Sequence, residues 1–168
     1  PRQLFDELLT ALARNLICFD VSRDQSVHSS VADNVGWLHL THGVTFANAV
    51  RVMCTRHPEN WAAGLTQLAC FVGRNRRFLD LDTDIVAWFV EDESQFWRDV
   101  YQQVLDHGLR DPIFSAHVIK TSLAVDEECQ VASAACRSSL LAGLNRFLNS
   151  PIRQKHVGPT DVSKRTLT

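Results

Sequence analysis

The sequence predicts an all-α fold, a single-domain bundle of about six helices with an irregular C-terminal tail, on three observations. Apolar residues recur at helical spacing in one segment after another, and no run alternates apolar and polar residues as a half-buried strand does. Helix stop and start signals separate the periodic segments. The chain has 168 residues, 45% of them hydrophobic and 21% charged, which supports one buried core and excludes a disordered chain or a coiled coil.

The elements follow in order. LFDELLTALARNLICF places Leu4, Phe5, Leu8, Leu9, Leu12, Leu16 and Phe19 on one helical stripe. The polar VSRDQSVHSSVADN reads as a loop or short helical turn, with Asp33 or Asn34 capping a second helix through VGWLHLTHGVTFANAVRVMCTRH that ends before Pro58. Pro58 and Glu59 suit a first helical turn and open a third helix through WAAGLTQLACFVGRN. RNRRFLDLDTD is a charged connection. A fourth helix through ESQFWRDVYQQVLDHG stops at Gly108, Asp111-Pro112 starts a fifth through IFSAHVIKTSLAVDEE, and CQVASAACRSSLLAGLNRFLN makes the last, ending before Pro151. Residues 1–150 form the bundle domain. The tail, 151–168, has no apolar period and reads as an extended terminus or a strap that orders against a partner.

Composition excludes several functions. A net charge of −2 and a pI near 6.4 are not the footprint of a nucleic-acid binder. No apolar window is long enough to span a bilayer, and PRQLFDELLTALARN has neither the basic nor the apolar region of a signal peptide. Met53 is the only methionine, which reads as a piece of a longer protein. Cys18, Cys54, Cys70, Cys129 and Cys136 are odd in number with no CxxC, so they are expected as buried thiols of a reduced, cytoplasmic protein rather than a disulfide frame or zinc ribbon. GxGxxG, P-loop, HExxH and GxSxG patterns are all missing. Arg74, Arg76 and Arg77 are followed by Asp80, Asp82 and Asp84 and read as a solvated connection; Trp37, Trp61, Trp88 and Trp97 read as core or interface.

The candidate chemistry lies in seven histidines, His28, His39, His42, His57, His107, His117 and His156. His39 and His42, three residues apart, share a helix face and can meet one ligand, while His117 sits in an apolar helix with Lys120 and Thr121 one turn on. Two readings stand. Helical bundles build metal or cofactor sites from inward-facing side chains of separate helices. Histidines on apolar helix faces also serve as hydrogen-bonded ties to one another or to buried backbone.

Two runs carry a family resemblance. THGVTFANAVRVMCTRHPENWAAGLTQLACFVGRN, with its His-x-Val-Thr and later Ala-x-Arg, resembles a segment of questin-oxidase-like proteins. SAHVIKTSLAVDEE is similar to that family's His-x-Ile-Lys-Thr run on a later helix, and the two together cover roughly a third of the chain. Such segments also resemble stretches of longer bacterial chains that carry a Rieske iron–sulfur domain. The resemblance implies a helical oxidoreductase performing a Baeyer–Villiger-type oxygenation of an aromatic, polyketide-like small molecule, with NADPH as the implied cofactor; the histidines themselves suggest a transition metal such as iron. It carries over His42, His117 and Lys120 as catalytic residues, and Thr45, Arg51 and Thr121 as substrate-binding ones; His39, His42 and His117 make the expected metal set. The matched runs lie in the family's C-terminal half. The chain is too short for the N-terminal half, so a second chain or a missing domain would complete the site, as a subunit of an oligomer or a larger protein.

In chemical terms, imidazoles on facing helices can hold a metal or take the proton of a phenol. Lys120 can stabilise a phenolate or a peroxide anion, and the two threonines can orient the histidines. The alternative from another class is a non-catalytic helical interaction module on a Rieske-type redox protein, its histidines structural and its apolar faces and tail forming the interface.

Overall fold

The computed structural model describes residues 1–25, 35–104 and 112–149. They form six α-helices: α1 (Arg2–Ile17), α2 (Trp37–Arg56), α3 (Trp61–Asn75), α4 (Glu93–Gln103), α5 (Pro112–Cys129) and α6 (Ala134–Leu148). Among the described residues the only β pairing is an isolated bridge between Phe19 and Leu79. The chain is therefore the all-α bundle its periodicity predicts. The tail and Gly108 lie outside the described residues, as do Asp33 and Asn34.

α1 packs chiefly along α6, and α2 along α5. Leu9, Leu12 and Leu16 of α1 are fully buried with Leu140 and Leu144 of α6 and Val44 of α2, whereas Leu4, predicted on the same stripe, is exposed. Phe19, edge-on, and Phe147, tilted, each pack against Trp37 at the end of this seam, with ring centres 4.9 and 5.7 Å from its own. At the α1–α6 crossing Gly143 lies against α1 so closely that a β-carbon there would stand 2.9 Å from the Ala13 carbonyl oxygen. Arg146, one turn on, is buried and donates to the carbonyls of Ile17 and Phe19, closing the C-terminus of α1. Its guanidinium lies over the Trp88 ring, 5.6 Å from the centre.

Several features differ from the sequence reading, among them the start of α3, which follows a 3-10 turn at Pro58–Asn60. α2 begins at Trp37 with Gly36 as its cap, and the His39 imidazole accepts the Gly36 N–H at 3.3 Å, the reciprocal half of a capping box. α4 ends at Gln103. The predicted last helix divides: Cys129 closes α5, and Ser133 caps α6 by accepting the Cys136 N–H. The connection after α3 is not wholly solvated, because Phe78 and Asn75 are buried. Four of the five cysteines are buried thiols as expected, and Cys70 is exposed on α3. Burial pushes the Cys129 and Cys136 thiols up to about 12.

Candidate functional site

α2 is buried on one face by α1 and α3, which leaves the opposite face to carry His42, Thr45 and Asn48 toward α5. There His42 Nε2 and His117 Nε2 lie 2.9 Å apart. His117 is buried, and its Nδ1 is 2.7 Å from the Ile113 carbonyl oxygen one turn earlier. A carbonyl only accepts, so Nδ1 of His117 carries the proton and its Nε2 offers a lone pair when the ring is neutral. Nε2–H of His42 then donates to it, and Nδ1 of His42 is the unprotonated nitrogen of the pair.

Burial, reinforced by His117, Lys120 and His39, lowers the His42 pKa below the ordinary 6.5 of an imidazole. His39 is lowered in the same sense by burial and then by Arg74. Both rings are neutral at neutral pH and able to accept a proton.

The histidines open on a cleft of about 790 Å³, within the usual size range of small-molecule sites. Its floor on α2 continues through Thr45, Phe46 and Asn48; α3 contributes Phe71 and Arg74. α5 contributes Lys120, Leu123, Ala124 and Glu127. Phe46 and Phe71 face each other with ring centres 5.3 Å apart and planes tilted by 36°. Glu127 accepts from Asn48 Nδ2 at 2.8 Å. The cleft thus combines an aromatic wall, two neutral imidazoles and two cations, Arg74 and Lys120.

The expected site residues separate into two groups. His39, His42, Thr45 and Lys120 line the cleft, with His117 directly behind His42. Thr45 nevertheless bonds its own helix, the carbonyls of Thr41 and His42, rather than a histidine ring. Thr121 is fully buried, so it cannot touch a ligand in the cleft, and its hydroxyl has no hydrogen-bond partner among the described residues. Arg51 is a tie between helices. Its Nε lies 2.7 and 2.9 Å from the two oxygens of Glu128, a carboxylate buried completely between α2 and α5, and it borders a separate cavity of about 220 Å³ with Trp61 and Phe5.

The three-histidine metal set does not assemble. The His39 and His42 ring centres are 6.5 Å apart and Nδ1 of His39 is engaged by Gly36. No group of three His, Cys, Asp or Glu among the described residues is placed to hold a metal ion. His57 is a surface residue 3.6 Å from Glu59, and His28, His107 and His156 lie outside the described residues.

Sequence reasoning missed Phe46, Asn48, Phe71, Leu123 and Glu127, and assigned Arg74 to a solvated loop. A helical signal for them exists: Phe71 and Arg74 are three apart on α3, as His42, Thr45 and Asn48 are on α2. Compared with protein-family models, curated proteins and solved structures, the chain matches none.

Proposed function

We propose that this chain is the substrate-binding, histidine-bearing part of an oxygenase-type oxidoreductase acting on an aromatic, polyketide-like small molecule. His42 is the proton acceptor. The observation that supports the reading is the His42–His117 hydrogen bond at the cleft: His117, fixed by Ile113, holds the His42 ring in the tautomer whose free nitrogen can take a proton. A ring hydroxyl gives its proton to His42 and becomes a phenolate, and Lys120 stabilises the new negative charge. Phe46 and Phe71 offer the apolar face on which a planar ring rests.

The redox half, with any NADPH it consumes, belongs to a second chain or further domain. The part of this chain is to bind, orient and deprotonate.

The test is an absorbance titration with a hydroxyanthraquinone, whose phenolate absorbs at longer wavelength than its phenol. Wild type is expected to bind it as the phenolate at neutral pH. His42→Ala loses that spectrum while its urea midpoint moves little. Binding with no ionisation overturns the base role. A second reading, a helical interaction module on a Rieske-type protein, rests on Ile113 and Leu123, which α5 leaves about half exposed beside the histidines. Absence of binding together with a large loss of stability in His42→Ala favours that module.

A further inference from the structure

Arg74 and Lys120 are the two cations of the cleft, and neither forms an ion pair among the described residues. Among the described residues the single carboxylate that lines it, Glu127, is already engaged by Asn48 Nδ2 at 2.8 Å and by Arg51 at 3.7 Å. The two cations do not duplicate each other. Lys120 acts on His42, the nitrogen assigned to proton transfer, whereas Arg74 acts on His39, whose ring centre is 6.5 Å from that of His42. Phe71, on the same helical face as Arg74, pairs with Phe46. Arg74, one helical turn on from Phe71, lines the same cleft as that aromatic pair and His42.

We propose that the ligand of this cleft is an aromatic acid, and that Arg74 anchors its carboxylate while the hydroxyl is presented to His42. The proposal rests on the reading of His42 given above and adds the ligand's second functional group. A guanidinium presents a planar fork of donors that matches a carboxylate, which an ammonium does not. An uncharged substrate would make no use of that fork.

The rival explanation is that Arg74, in the last turn of α3, only compensates the carbonyls of the helix end. That role affects stability and not ligand choice. The two are separated by titrating the protein with a dihydroxyanthraquinone carrying a ring methyl group and with its counterpart bearing a carboxylate in the methyl's place. Wild type is expected to bind the carboxylate on the order of tenfold more tightly or better, as a charge-assisted pair requires. Arg74→Gln removes the preference by weakening binding of the carboxylate far more than binding of the methyl compound, and melts within a few degrees of wild type. Arg74→Lys restores only part of the preference. Equal affinities in wild type, or a preference that survives in Arg74→Gln, overturn the anchor while leaving the His42 reading in place. Failure of both compounds to bind wild type overturns the His42 reading and the anchor with it.

Discussion

Nε2 of His42 and Nε2 of His117 stand 2.9 Å apart across the seam between α2 and α5, so each imidazole is the other's hydrogen-bond partner. The single proton between them belongs to Nε2 of His42, because Nδ1 of His117 carries the other ring's proton. His117→Ala is expected to cost about 1–3 kcal/mol, because it removes a buried ring bonded at both nitrogens. His42→Ala costs less than about 1 kcal/mol, because that position is open to water. A double-mutant cycle by urea denaturation should give a coupling of at least about 0.5 kcal/mol; additivity would show that the pair is not a working contact.

Stability should fall as the histidines are titrated. His39 and His42 have pKa values lowered from 6.5 in the folded chain, so just below pH 6.5 the unfolded chain binds more protons than the folded one. Their contribution is complete above pH 6.5 and is lost as pH falls through the lowered folded values. Urea midpoints across this range should decline before the carboxylates titrate, and the decline should flatten in the His39→Gln/His42→Gln protein. A wild-type midpoint that stays level until the carboxylates titrate would contradict the assignment.

Arg51 should matter more for folding than for ligand binding. Arg51→Met leaves the Glu128 carboxylate in the interior with Asn48 as its remaining donor, 2.9 Å away, and is expected to cost about 3–5 kcal/mol. Arg51→Met/Glu128→Leu removes both charges and should recover much of that loss. A double variant as unstable as the single one would mean that the pair itself, rather than the stranded charge, sets the cost.

Two glycine-to-alanine changes should have opposite signs. Gly143→Ala drives a methyl group toward the Ala13 carbonyl oxygen, 2.9 Å away on a helix backbone that cannot turn aside, and should cost about 1–3 kcal/mol. At Gly73 a methyl group meets nothing within 4 Å, so alanine should stabilise α3 by about 0.5–1 kcal/mol. Thermal melts of the two proteins check both signs, and a neutral Gly143→Ala would show that α1 and α6 are less closely held.

The helices were legible because burial is written along them every three or four residues: Leu9, Leu12 and Leu16 needed no partner to be identified. Interactions that cross between helices leave no such period. Arg146 and Glu128 are charged and buried, against the usual preference of their types, because the carbonyls of Ile17 and Phe19 in one case and Arg51 in the other satisfy them. Ser133 is a cap signal inside a segment apolar enough to read as one helix. In the cleft, His39, His42 and Lys120 stood out by residue type. Arg74 was hidden by the neighbouring Arg76, Arg77 and aspartates, and only the packing of α3 beside α2 sets it apart from them.

The Arg146 contacts with Ile17 and Phe19 have a consequence for how the domain is made. The carbonyls that end the first helix wait for a guanidinium 129 and 127 residues further along the chain, and the face of α1 waits for α6. Such long-range closure comes late in folding and slows it. As synthesis proceeds, α1 to α5 emerge with the side of α1 that α6 covers still open, so a nascent chain paused before Arg146 should be a chaperone client and an easy substrate for proteases. Protection of this side of α1 against proteolysis in stalled chains of increasing length would appear when α6 clears the ribosome.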